Sequence, residues 1–268
     1  MEIEYNYTEA PRRGYKGIYS SEQIFSDHLK GPVKDNLIDR EEHNNLLEHF
    51  RRLNTDTGFN SSSELLADIQ ALEQEDIDVR DFRVGEAYAE VILEEKFSCR
   101  FYWNELRDAR NRKGSKTGAD IIGFIENDDS VLFLFGEVKT SSEINRPPQV
   151  MTKSTDGLEK QLCDLYCDRN KRNTLISYLK SKTTALDESH PFKVDLEKSI
   201  QNYYTSDNPK KYHIIGVLVR DVSPKEQDLS DSYHRIKETI LAPSGLELLA
   251  LYVPISKSDW LDVINGED

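Results

Sequence analysis

The chain has 268 residues, 37% hydrophobic and 31% charged, with a formal net charge of −14. That is enough length to bury a sizeable core in one large domain or two small ones. No apolar run approaches the roughly 20 residues of a membrane helix, the opening MEIEYNYTEAPRRG lacks a signal-peptide hydrophobic region, and the acidic balance is unlike that of a protein that grips nucleic acid unaided.

A cytoplasmic location is therefore expected. Cys99, Cys163 and Cys167, an odd number, argue against a disulfide framework. Cys163 and Cys167 share a helix face, yet no Cys or His pair completes a zinc site, so the thiols read as structural.

Along the chain, residues 1–34 read as irregular, punctuated by Pro11, Gly14, Gly17, Gly31 and Pro32 around a short helix at Ser21–Lys30. Leu37 to Leu53 has helical spacing, with Leu46, Leu47 and Phe50 on one side. Ser61-x-x-Glu64 resembles a capping box opening a helix through Leu65, Leu66, Ile69 and Leu72. A helix over Val84–Lys96 follows, then a strand at Ser98–Trp103 and a basic loop at Arg107–Thr117. Ala119–Ile125 and Val131–Lys139 read as strands joined by the turn residues 126–130. Helices are expected at Asp156–Asp168, Leu175–Lys182, Val194–Tyr204 and Ser232–Leu241, and late strands at Tyr212–Arg220 and Leu246–Pro254. The expectation is a helical N-terminal elaboration (residues 1–80) packed on an α/β core (81–268), with helices flanking a mixed sheet.

The chemistry concentrates at Gly118-Ala119-Asp120 and Phe135-Gly136-Glu137-Val138-Lys139. Side chains alternate along a strand, so Glu137 and Lys139 share a face. A turn centred near Asp128 places Asp120 across from Gly136 or Glu137, where opposed Cα atoms lie roughly 4.5–5.5 Å apart. Carboxylates at the end of an apolar strand are costly unless paired or metal-bound. Asp120, Glu137 and the Val138 carbonyl can hold Mg²⁺, or Mn²⁺, with open water positions. Lys139 then orients the attacking water or stabilises charge on phosphorus. By itself a Glu-x-Lys triplet is ordinary strand-end surface; the Asp at the matching end of a paired strand makes the difference.

With those motifs the chain resembles the PD-(D/E)xK phosphodiesterases, whose core carries Asp and Glu-x-Lys on a hairpin. Many members add a Glu on the preceding helix; Glu86, after Gly85, is the first candidate here and Glu90 the second. Gly85-Glu86, Gly118-Ala119-Asp120 and Gly136-Glu137-Val138-Lys139-Thr140-Ser141-Ser142 are similar to the nuclease subunits of the Hachiman anti-phage system, the HamA family. The resemblance covers about residues 84–142. It implies a restriction-endonuclease-like fold, a bacterial defence nuclease, and a superfamily 2 helicase partner, HamB. Gln161 and Tyr166 are five apart, which departs from the Gln-x-x-x-Tyr motif of some relatives.

Two basic tracts offer contacts for DNA. Arg107, Arg110, Arg112, Lys113 and Lys116 run directly into Asp120, with Phe97, Phe101, Tyr102 and Trp103 nearby for stacking. Arg169, Lys171, Arg172, Lys180 and Lys182 form the second tract. The leading expectation is a metal-dependent DNA nuclease brought to its substrate by the helicase. The alternatives are a stand-alone restriction-like endonuclease and a non-catalytic interaction subunit. No Gly-rich Lys motif for nucleotide phosphates is present, so ATP use falls to a partner.

Overall fold

In the computed structural model, which describes residues 1–56, 58–74, 77–108, 118–127, 130–205 and 212–266, the chain opens with two strands, β1 (Glu2–Ala10) and β2 (Arg13–Tyr19). They correct the irregular reading of residues 1–34. Ile3, Tyr5 and Tyr7 alternate with polar residues at the strand period, and the paired rings of Tyr7 and Tyr15 stack at 5.0 Å. The residues taken as breakers serve the hairpin. Arg12 turns it at φ 60°, and a Cβ on Gly17 would lie 2.3 Å from the Tyr5 ring.

Helices α1 (Glu22–His28) and α2 (Lys34–Ile38) are joined through a π-turn, and Asp39, at φ 52°, ends α2 before α3 (Arg40–Thr55). In α4 (Ser63–Gln74) the Leu65 N–H donates to Ser62 Oγ at 3.3 Å, so the cap is one residue later than expected. The chain continues through α5 (Asp81–Phe97), β3 (Cys99–Arg100), β4 (Ile121–Asn127), β5 (Ser130–Thr140), α6 (Gln149–Thr152), α7 (Leu158–Cys167), α8 (Arg169–Lys182) and α9 (Pro191–Tyr204). It closes with β6 (Tyr212–Arg220), α10 (Ser230–Ile236), β7 (Gly245–Tyr252) and α11 (Trp260–Asn265). The strand expected at Ser98–Trp103 shrinks to two residues.

All seven strands form one sheet in the order β1-β2-β7-β6-β5-β4-β3. The inner strands β2, β7, β6 and β5 are parallel, while β1, β4 and β3 pair antiparallel at the flanks. Every residue of β6 is buried, as a strand covered on both faces requires.

Strand alternation sorts the core into two layers. Phe133 and Phe135 of β5 and Ile122 and Phe124 of β4 pack with α7, α8 and α9. Leu132, Leu134 and Val138 of β5 and Ile121 and Ile125 of β4 pack with α1, α2, α5 and α11. The molecule is thus an α/β fold with helices on both faces of a mixed sheet, as expected. Among the described residues no helix is long and apolar enough to cross a membrane.

Candidate active site

The register of β4 and β5 decides which acids meet. Ile121 lies opposite Gly136, so Asp120, one residue before β4, comes opposite Glu137. Continuing the alternation, Asp120, Glu137 and Lys139 fall on the face covered by α7, α8 and α9. The Val138 N–H donates to Asp120 Oδ2 at 3.0 Å, closing the strand end around the aspartate. Gly118, at φ +113°, makes the turn that leads into it, a conformation a side chain would strain.

Glu137 is 1% exposed and its Oε1 is buried with no hydrogen-bond partner. Burial, then repulsion from Asp120 and a hydrogen bond with it, push the Glu137 carboxyl up to about 9. Lys171 and Lys139 pull the other way and are outweighed. The Glu137 carboxyl therefore keeps its proton at neutral pH. Lys139 also reaches the field of Asp156, whose carboxyl is lowered chiefly by its bond to Lys153.

Glu86 is not part of this pair. It lies on α5, in the layer across the sheet, buried and ion-paired to Arg83 at 2.8 Å. Glu86 and Glu90 both line a small cavity with Asn36, Arg83 and Asn104. Among the described residues no three His, Cys, Asp or Glu side chains come close enough to hold a metal together. Gly85 does permit a close approach, but to Thr140: a Cβ there would lie 2.3 Å from Thr140 Oγ1, on the Val138 face of β5. The helix thus meets the strand end on the face opposite the one Glu137 occupies.

The profile of the HamA family matches residues 19–260, everything from the last residue of β2 to the start of α11. The chain belongs to the HamA family. It is therefore a Hachiman-type defence protein, and the β1–β2 hairpin lies almost wholly outside the matched segment. No curated protein matches the chain.

In this HamA-family chain the first basic tract is partly spoken for. Arg107 pairs with Asp39 at 2.6 Å and Glu41 at 2.6 Å, and its guanidinium lies 5.0 Å from the Trp103 ring centroid. It fastens α2 and α3 to the loop after β3. Arg110, Arg112, Lys113 and Lys116 lie outside the described residues.

The second tract divides more sharply. Arg172 is buried, donates to the Leu165 and Tyr166 carbonyls and to Tyr203 Oη, and rests 4.8 Å from the Tyr212 ring centroid. Lys182 pairs with Asp108. Lys171 instead points to the acid pair, its Nζ 3.8 Å from Glu137 Oε1. The sequence did flag this tract, but helix periodicity cannot say which of its cations faces a strand 34 residues earlier in the chain. Gln161 sits on α7 in the same layer with Oε1 buried and unbonded, while Tyr166 is buried in the core. Of the three thiols only Cys99 is buried; Cys167 is exposed.

Proposed function

We propose that this HamA-family protein is a Mg²⁺-dependent deoxyribonuclease, the cutting subunit of a Hachiman complex with a superfamily 2 helicase. One observation carries the reading: the partly exposed Asp120 meets the buried Glu137 on one face with Lys139, and Glu137 keeps an unbonded oxygen. Two carboxyls in that position hold either a proton or a cation. The donors are all oxygen, which suits a hard ion such as Mg²⁺ or Mn²⁺ rather than zinc. Asp120 and Glu137 would hold it together with the Val138 carbonyl, which leaves β5 on the same edge as the N–H bonded to Asp120. When bound, the ion supplies a water of lowered pKa and positive charge at the phosphorus.

The chain's own groups do the rest. The Val138 N–H fixes Asp120 Oδ2, so the aspartate presents its other oxygen in a set direction. Lys139, on the same face as Glu137, holds a non-bridging phosphate oxygen and stabilises the charge that develops there. The net charge of −14 repels free duplex, which supports a division of labour: a helicase partner engages and opens DNA, and this subunit cuts it. The PD-(D/E)xK resemblance supports the same reading through Asp120, Glu137 and Lys139; its helix glutamate has no counterpart beside them among the described residues.

The test is cleavage of linear, nicked and supercoiled DNA with Mg²⁺, with and without the co-purified partner. Glu137→Ala and Lys139→Ala should each remove cutting while leaving the fold and the complex intact. Undiminished activity in both variants would sink the assignment.

A further inference from the structure

We infer that Lys171, reaching across from α8, is a second phosphate-contacting ammonium group of the site and supplies charge that Lys139 alone does not. The inference rests on the nuclease reading of Asp120 and Glu137. Lys171 is aimed rather than loose. Its backbone N–H is held by the Asp168 cap at 3.1 Å, and its neighbour Arg172 is locked under the C-terminal end of α7. With Arg172 pinned inward, the α8 start presents Lys171 toward β5, where its side chain is 25% exposed.

The geometry also argues against a simple ion pair. A lysine placed only to neutralise Glu137 would close to about 2.8 Å. Here Nζ stays 3.8 Å away and Glu137 Oε1 remains unbonded, so the ammonium borders the site without sealing it.

Charge counting shows what it adds. Hydrolysis joins a water oxygen to phosphorus and breaks one P–O ester bond. One water proton leaves as the nucleophile forms, and the departing alkoxide takes up another from solvent. The phosphorane made from a diester anion and hydroxide carries two negative charges. Asp120, Glu137, Lys139, Lys171 and one divalent cation leave two positive charges in surplus, which match it. Without Lys171 the surplus is one, and the transition state is left negative in a half-buried site where charge is weakly screened.

Three proteins test this: wild type, Lys171→Gln and Lys171→Arg. Isothermal titration with Mn²⁺ needs no turnover. Lys171→Gln should bind Mn²⁺ about three- to tenfold more tightly, because the ammonium beside Glu137 repels the divalent ion and its removal lifts that repulsion. In the helicase complex, Lys171→Gln should lower kcat about 10²-fold at saturating Mn²⁺. KM should move less than threefold, and Lys171→Arg should recover at least a tenth of the rate. An unchanged kcat overturns the inference whatever the Mn²⁺ affinity, and so does a rate loss matched by a fall in melting temperature. Glu137→Ala separates the two levels. If that variant still binds Mn²⁺ and cuts DNA, the assignment of Asp120 and Glu137 as the site fails; if it is dead while Lys171→Gln is normal, only the role of Lys171 fails.

Discussion

Two neighbouring strands end in buried charge, and they treat it differently. At the end of β6, Arg220 and Asp228 are both fully buried and ion-paired. Asp228 also accepts from Arg146 at 2.7 Å and from Tyr252 Oη at 2.8 Å, and the Tyr252 hydroxyl meets that of Tyr5 at 2.7 Å. Arg220 donates further to the Glu143 and Asn145 carbonyls, tying down the segment that follows β5. At the end of β5, one step along the sheet, Glu137 is just as buried but faces another acid and leaves an oxygen unbonded. The first cluster pairs opposite charges, with only the Arg220 Nε–H left unbonded, and it holds the fold. The second lacks positive charge at its centre, and a protein retains such a cost where chemistry needs it.

The sharpest way to break this comparison is Glu137→Gln against Arg220→Met. Glu137→Gln should cost on the order of 10³-fold in Mg²⁺-dependent cleavage by the complex, yet leave the metal-free fold at least as stable near pH 8. A variant that cuts normally would make the two clusters equivalent. Arg220→Met removes the buried partner of Asp228, leaving it Arg146 and Tyr252, and should cost about 3–5 kcal/mol in urea unfolding. A loss below about 1 kcal/mol would show that the charge-paired cluster does not hold the fold.

The pH dependence sharpens the contrast further. Because the folded Glu137 carboxyl lies near 9 and an unfolded one near 4.5, the folded state binds the extra proton between those values. Its contribution therefore erodes metal-free stability as pH rises through that window. Mn²⁺ replaces the proton, so at about a hundred times its dissociation constant it should stabilise wild type by about 2.7 kcal/mol. At a fixed Mn²⁺ concentration the gain should be larger at pH 8 than at pH 6, because proton competition weakens, and Glu137→Gln should lose it. Thermal shifts at both pH values read this directly, and an equal shift in the variant would remove the acid pair as the site. The smallest effect on activity belongs to Glu86→Gln. Leaving Arg83 buried with a weaker partner should cost about 1–3 kcal/mol of stability, while Mn²⁺ affinity and cleavage change less than twofold. A hundredfold loss of cutting would bring the helix glutamate back into the site.

Much of this was legible from residue order because it depends on local periods. Helical stripes located α3, α4, α5, α7, α8 and α9, and a continuous apolar run marked β5 as a central strand. Two-residue alternation and a short turn narrowed the partner of Asp120 to Gly136 or Glu137, and the pairing of Ile121 with Gly136 selects Glu137. The Ile3–Tyr5–Tyr7 alternation was equally readable, but Pro11 and the glycines nearby masked it as punctuation. What the sequence by itself determined, then, is the strand pair and the common face of Glu137 and Lys139, with Asp120 at the matching end. Only the tertiary structure decided what surrounds them. It put α5 across the sheet, where Glu86 pairs with Arg83; it drew Arg107 to Asp39 and Arg172 under α7, and it left Lys171 beside Glu137. The reason is range: alternation acts between adjacent residues, whereas the layer a helix joins is chosen by packing among segments far apart in the chain.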